Sequence, residues 1–202
     1  MAVATITTDS DGPLTQSHQR EVTAAYDRAK IIRKAASVAA FNGWMTGIIA
    51  FCSAPFAIFS LSGFIVTIGL SIVTYNEFRG RKRLLQFDQE APVLLGWNQV
   101  GFLVLIISYC TWMLVVSLTS DGPFTAELKA KPELSVAFNS AEQFDRYYKM
   151  LVAGLYGAVI MLTGVFQGFN AFYYFTRRKH IKAYVENTPG WVLDLQRLTP
   201  TN

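Results

Sequence analysis

Hydrophobic residues are concentrated in three long stretches that contain no Asp, Glu, Lys or Arg, at residues 35–76, 91–120 and 150–176. A helix that crosses a bilayer needs about 20 mostly apolar residues. The first stretch has room for two crossings, and each of the others has room for one. The pattern therefore predicts an all-α protein, an integral membrane four-helix bundle.

Turn signals and aromatic residues place the ends of these helices. The link around Ser60 is short and uncharged, so we expect the first two crossings to form a tight antiparallel hairpin. Trp97 and Trp112 lie near the two ends of the third crossing, where tryptophan favours the headgroup boundary. The predicted crossings are residues 36–58, 62–79, 95–118 and 148–176, in a membrane domain of residues 36–198.

The segments between and around the crossings are more polar. Residues 1–13 are predicted to be disordered, and residues 119–147 form one long loop. Residues 14–35 have apolar positions three and four apart, which predicts an amphipathic helix on the membrane surface or one that continues into the first crossing. Residues 177–202 form a tail with a surface segment. The acids of the long loop lack calcium-loop spacing and are interpreted as a solvated face: Asp121, Glu127, Glu133, Glu142 and Asp145.

The distribution of basic residues predicts the orientation. Of the 18 Lys and Arg residues, 14 lie before the first crossing, between the second and third, or after the fourth. The positive-inside rule then places both termini in the cytoplasm and the long loop outside, and we expect the plasma (inner) membrane. The net charge of +4 could favour nucleic acid, but the basic residues bracket the apolar segments as membrane flanks do, so no nucleic-acid partner is predicted.

The second and fourth crossings end in similar sequences. Aligning residues 78–92 with 175–189 matches a Phe, an Arg, a Lys and a Pro. This similarity favours a two-helix unit used twice in the same orientation, with a pseudo-two-fold axis along the membrane normal. The alternative is that any cytoplasmic helix exit collects aromatic residues, cations and a proline.

The chain contains no recognisable catalytic or metal-binding motif. Cys52 and Cys110 lack metal-ligand spacing, and His18 and His180 both lie outside the predicted crossings. There is no glycine-rich phosphate loop or paired metal-ligand motif. We therefore predict a protein that is not an enzyme and that binds no cofactor and no metal.

Small and polar residues within the crossings suggest contact surfaces. Glycines four residues apart let helix backbones approach closely, either within the bundle or between subunits. Neutral polar side chains could be hydrogen-bonded packing contacts or could line a polar pathway. The glycines are Gly43, Gly47, Gly157, Gly164 and Gly168, and the pathway candidates are Asn42, Gln99, Gln167 and Asn170.

Two basic runs flank the helices on the predicted cytoplasmic side. They could serve topology alone, or they could bind anionic lipid headgroups or an acidic partner surface. The runs contain Arg79, Arg81, Lys82, Arg83, Arg177, Arg178, Lys179 and Lys182.

Three hypotheses for function follow from these features. The favoured one is a structural or accessory subunit that forms a homo-oligomer or docks on a larger membrane complex. The second is a small channel or transporter built from a duplicated two-helix unit and working as an oligomer. The third is a lipid-modifying membrane enzyme whose site would use interfacial residues, namely Glu77, Asp88, Glu90 and His180.

Overall fold

The computed structural model describes residues 15–130 and 141–198, and in these ranges every regular element is an α-helix. Four of the helices are long and apolar enough to cross a membrane, which confirms the prediction of helical structure with four segments of membrane-spanning length. The predicted disorder of residues 1–13 falls outside the described residues. The spanning helices are α1 (Gln16–Phe59), α2 (Leu61–Leu85), α3 (Ala91–Thr119) and α5 (Ala141–Glu186), with the shorter helices α4 (Pro123–Ala130) and α6 (Gly190–Leu198).

Helix α1 is continuous over 44 residues, so the amphipathic segment of residues 14–35 runs directly into the first crossing. Thr15 caps its first turn, because the Thr15 hydroxyl accepts a hydrogen bond from the His18 backbone N–H at 3.4 Å. Ala25, Ala29 and Ile32 share one face of the helix and are buried against other helices. Packing of this apolar face explains why the helix does not lie separately on a membrane surface.

A single residue, Ser60, connects α1 to α2. Its backbone N–H donates to the Phe56 carbonyl at 3.1 Å, and its hydroxyl accepts from the Gly63 N–H at 3.0 Å. A Cβ atom at Gly63 would lie 2.6 Å from the Phe56 carbonyl oxygen. Only glycine therefore fits this position, where the two helices of the hairpin meet.

The connection from α2 to α3 depends on one residue with unusual backbone geometry. Phe87 follows α2 with φ of 57°, in the left-handed region that side chains disfavour. Its N–H donates to Leu84 and the Asp88 N–H donates to the Arg83 carbonyl, the hydrogen-bond pattern of a Schellman motif. The Phe87 ring is buried and lies 4.8 Å from the Tyr184 ring, which holds the turn in place.

The main hydrophobic core lies at one end of the long helices. The start of α1, the connection between α2 and α3, and the connection between α5 and α6 meet there. We call this the basic end, and the opposite end, which carries Ser60 and α4, the loop end. The predicted tail is helical here over residues 177–186 and 190–198: α5 continues to Glu186, and α6 inserts Val192 and Leu193 into the core. The other core members are Ala25, Ala29, Ile32, Ala35, Ala36, Ala39, Leu84, Phe87, Ala91, Leu95, Tyr174, Ile181 and Tyr184.

The apolar spanning segments themselves are mostly exposed. Only 33% of the most apolar window of α1 is buried, and the shares are 17%, 6% and 6% for α2, α3 and α5. Helix α1 packs chiefly on α2, and α3 packs chiefly on α5. Lipid tails are as apolar as leucine, so a membrane helix does not need to bury such side chains in protein.

Helix α4 packs against the start of α5 at the loop end. Asp145 on α5 accepts hydrogen bonds from the backbone N–H groups of Phe124 at 3.0 Å and Thr125 at 2.8 Å, which caps the first turn of α4. Lys149 donates to the carbonyls of Leu118 and Ser120 at the C-terminal end of α3. Asp145 is buried, in contrast to the solvated position expected for the loop acids.

Candidate functional site: a buried carboxylate among four helices

Glu77 lies on α2 directly after the charge-free stretch, and none of its surface is exposed. Its Oε1 accepts hydrogen bonds from Asn98 Nδ2 at 2.8 Å and from Gln99 Nε2 at 2.7 Å, both on α3. Glu77 is one of the interfacial residues of the enzyme hypothesis, and its side chain is buried by protein rather than exposed. It shares a helix face with buried Leu70 and Val73, seven and four residues earlier.

Hydrogen bonds connect Glu77 to α1 and α5 as well. The Tyr174 hydroxyl on α5 donates to Glu77 Oε2 at 3.3 Å, and Asn42 Nδ2 on α1 donates to the Tyr174 oxygen at 3.2 Å. Asn76 Nδ2 donates to Asn98 Oδ1 at 3.2 Å. All four spanning helices therefore meet in one polar group. We call it the Glu77 cluster: Asn42, Asn76, Glu77, Asn98, Gln99 and Tyr174.

The groups that bind the Glu77 carboxylate are all neutral donors. No Lys, Arg or His forms an ion pair with it within residues 15–130 and 141–198. Gln99 Oε1 is buried and has no hydrogen-bond partner among the described residues. A carboxylate in this position can hold helices together through hydrogen bonds, and its oxygens could also bind a small cation or a proton.

The structure divides the four pathway candidates into two groups. Asn42 and Gln99 both belong to the Glu77 cluster. Gln167 and Asn170 lie on α5 and contribute no hydrogen bond to it. Gln167 Oε1 is buried without a partner in residues 15–130 and 141–198. Glu77 and Tyr174 were missing from the pathway candidates. The positions of Leu70, Val73 and Glu77 on one helix face are the sequence signal that would have found the carboxylate.

The glycines also fall into two groups. A Cβ atom at Gly43 would lie 3.2 Å from side-chain carbons of Glu77 and Phe78, and one at Gly47 would lie 3.2 Å from Thr74. These two glycines bring α1 against α2 beside the buried carboxylate. On α5, added Cβ atoms at Gly157, Gly164 and Gly168 would meet no atom of the described residues within 4 Å.

Several residues of the basic runs have partners within the chain. Arg83 pairs with Asp88 at 2.7 Å, and Arg178 pairs with Glu90 at 2.7 Å. Arg177 lies over the Tyr173 ring at 4.3 Å. Lys182 lies 3.8 Å from Glu186, whereas exposed Arg79 and Lys82, together with Arg81 and Lys179, make no ion pair in the described ranges.

The other residues of the enzyme hypothesis have separate partners. Burial raises the pKa of the Asp88 carboxyl, but the Glu90 backbone N–H and Arg83 outweigh this effect and hold the pKa below its ordinary value. The His180 ring is exposed, and its Nδ1 lies 3.3 Å from the Thr176 carbonyl of its own helix. In the described part of the chain, no group of three or more His, Cys, Asp or Glu residues could hold a metal ion.

Comparison of the chain with protein-family models, with curated proteins and with solved structures finds no match.

Proposed function

We propose that this chain is a non-catalytic multi-pass membrane protein that acts as a structural or accessory subunit, by self-association or by docking on a larger membrane complex. The observation that carries the proposal is the glycine face of α5, formed by Gly157, Gly164 and Gly168. These positions are seven and four residues apart, so they lie on one side of the helix. None of them is used for packing against the residues that the structure describes.

The contrast with α1 supports an intermolecular role for this face. The same four-residue glycine spacing at Gly43 and Gly47 brings α1 against α2. In a membrane, close backbone approach is a main source of helix association. The glycine face of α5 offers the same geometry to a helix of another subunit, with exposed Met161 and Phe172 beside it.

The Glu77 cluster supports a structural role in a different way. It connects α1, α2, α3 and α5 through a single carboxylate. A polar group that is satisfied in only one arrangement of the helices favours one packing over its alternatives. We propose that it keeps the four helices together as a bundle, which then presents the α5 face in a fixed orientation.

Residue pairs 97 apart support a duplicated two-helix unit in this proposal. Leu84 and Ile181 are both fully buried. The rings of Phe87 and Tyr184 are in contact, and Tyr174 donates to Glu77. Equivalent residues of two repeats meet in this way when they lie near a pseudo-two-fold axis.

We place the protein in the plasma (inner) membrane with the basic end on the cytoplasmic side. Four basic residues that make no ion pair in the described ranges would then face anionic lipid headgroups: Arg79, Arg81, Lys82 and Lys179.

The test is the mass of the native protein in a mild detergent, compared with that of Gly164→Leu. We expect the unmodified chain to elute as an oligomer or with a partner, and the leucine variant to shift toward the monomer. Gly101→Leu is the matched control, because Gly101 is also open to its surroundings but lies on α3. A monodisperse, partner-free monomer for the unmodified chain would exclude the proposal.

The buried carboxylate favours a second candidate, a small channel or transporter that works as an oligomer. Ionisable residues within membrane helices commonly mark ion or proton paths. Flux of cations and protons into liposomes containing the protein tests this candidate, with Glu77→Gln as the variant. Flux that is absent, or that is unchanged in Glu77→Gln, would eliminate it.

A further inference from the structure

A groove of about 510 Å³ runs along the junction of α2 and α3 on the surface of the spanning region. Its walls are mostly apolar, and its polar groups are the amides of Asn76 and Asn98 together with the indole of Trp97. Gly101 lines the groove, and an added Cβ there would meet no atom of the described part of the chain within 4 Å. The remaining lining residues are Gly69, Ile72, Val73, Leu94 and Leu105.

The length of the groove matches one leaflet of a bilayer. At about 1.5 Å per residue, its lining on α3 rises about 16 Å from Leu94 to Leu105, and its lining on α2 rises about 10 Å from Gly69 to Asn76. The hydrocarbon of one leaflet is about 15 Å deep. A single acyl chain that enters from the basic end would therefore fill the groove along its length.

The polar groups lie at the end of the groove where a lipid headgroup would be. Asn76 makes one hydrogen bond within the described residues, to Asn98, which leaves its other amide N–H for an ester carbonyl. Arg79 follows Asn76 by three residues and Ile72 by seven, so it continues the groove face of α2 toward the basic end. Arg79 is exposed and has no ion-pair partner in residues 15–130 or 141–198, so its charge is available to a phosphate.

We propose that this groove is a binding site for one anionic phospholipid, with an acyl chain between α2 and α3 and the phosphate at Arg79. The chemistry assigns separate roles to the two ends. The apolar walls and Gly101 accept any acyl chain of suitable length, whereas Arg79 distinguishes an anionic headgroup from a neutral one. The site does not depend on the glycine face of α5, which belongs to another helix.

Native mass spectrometry of the detergent-purified full chain tests the site. The protein is titrated with phosphatidylglycerol or with phosphatidylcholine carrying the same acyl chains, and bound lipids are counted. Arg79→Gln should weaken phosphatidylglycerol binding about fivefold, the equivalent of the roughly 1 kcal/mol that one basic residue contributes at an anionic surface. Binding of phosphatidylcholine should not change.

Filling the groove should affect both lipids. Leucine at position 101 would displace methylene groups of the acyl chain, so Gly101→Leu should weaken binding of both lipids about tenfold. Gly101→Ala, which adds only one carbon, should give a smaller loss and replaces the leucine variant if that variant does not fold by circular dichroism. Two controls should bind as the unmodified chain does: Lys34→Gln, which removes an exposed charge from α1, and Gly164→Leu on α5.

Four results would overturn the proposal. The first is an unmodified chain that retains no lipid, and the second is equal affinity for the two lipids in the unmodified chain. The third is unchanged binding in every folded variant at Gly101. Loss of binding in Gly164→Leu together with Gly101→Leu would also refute it, because the lipid would then follow the oligomer rather than the groove.

Discussion

Replacing Glu77 by leucine removes one acceptor from the centre of four helices and keeps a side chain of similar size. Asn98 Nδ2 also donates to the Val73 carbonyl at 3.0 Å, so it keeps a partner. Gln99 Nε2 and the Tyr174 hydroxyl have no other acceptor among their hydrogen bonds in the described residues. The substitution therefore leaves two buried donors unsatisfied.

The magnitude follows from these two donors. An unsatisfied buried polar group costs about 1–3 kcal/mol, which gives about 2–6 kcal/mol for the pair. Hydrogen bonds between membrane helices contribute less on average, about 0.6 kcal/mol each, and the buried charge is also removed. Both effects favour the lower part of the range. We expect Glu77→Leu to reduce the free energy of unfolding by about 2–3 kcal/mol.

Replacing Glu77 by glutamine distinguishes the contribution of the hydrogen-bond acceptor to stability from that of the negative charge. Glu77→Gln keeps one carbonyl oxygen for the amides of Asn98 and Gln99, so we expect a loss of about 1 kcal/mol or less. Unfolding in mixed micelles with increasing dodecyl sulfate, followed by circular dichroism, measures both variants. Glu90→Gln is the surface control, because its pairing with Arg178 is exposed and contributes about 0–1 kcal/mol.

Two results would refute this reasoning. A Glu77→Leu variant as stable as the unmodified chain would show that the hydrogen bonds of the cluster do not hold the helices together. Equal losses in Glu77→Leu and Glu77→Gln would show that the negative charge matters rather than the position of the acceptor.

Three further predictions concern other parts of the fold. Gly43→Leu should lower the free energy of unfolding by about 1–3 kcal/mol, because side-chain carbons of α2 lie 3.2 Å from the new Cβ. The control Gly157→Leu should have little effect on the stability of the monomer in the same dodecyl sulfate assay. At Phe87, where φ is 57°, the glycine variant should be more stable than the alanine variant by about 1 kcal/mol, the reverse of the usual order within helices; equal stability would contradict a left-handed backbone there. Since the Asp88 pKa is lowered in the folded state, its ion pair with Arg83 should stabilise the protein above about pH 4 and lose this effect as the pH falls through the folded pKa. The stability difference between the unmodified chain and Asp88→Asn, measured by thermal unfolding, should therefore be present at neutral pH and shrink in acid.

The number of spanning helices could be predicted because membrane helices have one dominant requirement, a long run without charges. The turn at Ser60 could be predicted for the same reason, since it interrupts a charge-free stretch that is too long for one crossing. The ends of the helices were harder to predict. Helix α5 continues past Thr176 because Ile181 and Tyr184 pack into the core, and the basic residues between them resemble a membrane flank in sequence.

The buried carboxylate was not predicted because a glutamate at the edge of an apolar run is ordinarily placed in water. Its partners on α3 and α5 are 21 to 97 residues away in the chain, so no local pattern brings them together. The burial of Asp145 was missed for a similar reason. Its partners are the backbone N–H groups of α4, a helix that the sequence analysis did not anticipate.

The length of α1 has a mechanical consequence. Its 44 residues extend about 66 Å, roughly twice the 30 Å hydrocarbon thickness of a bilayer. About half of the helix therefore extends beyond the hydrocarbon thickness, where the face that carries Ala25, Ala29 and Ile32 packs into the core of the basic end. Because one unbroken helix carries both this packed part and Asn42, we expect a shift of the basic end to alter the hydrogen bonds of Tyr174 and Glu77.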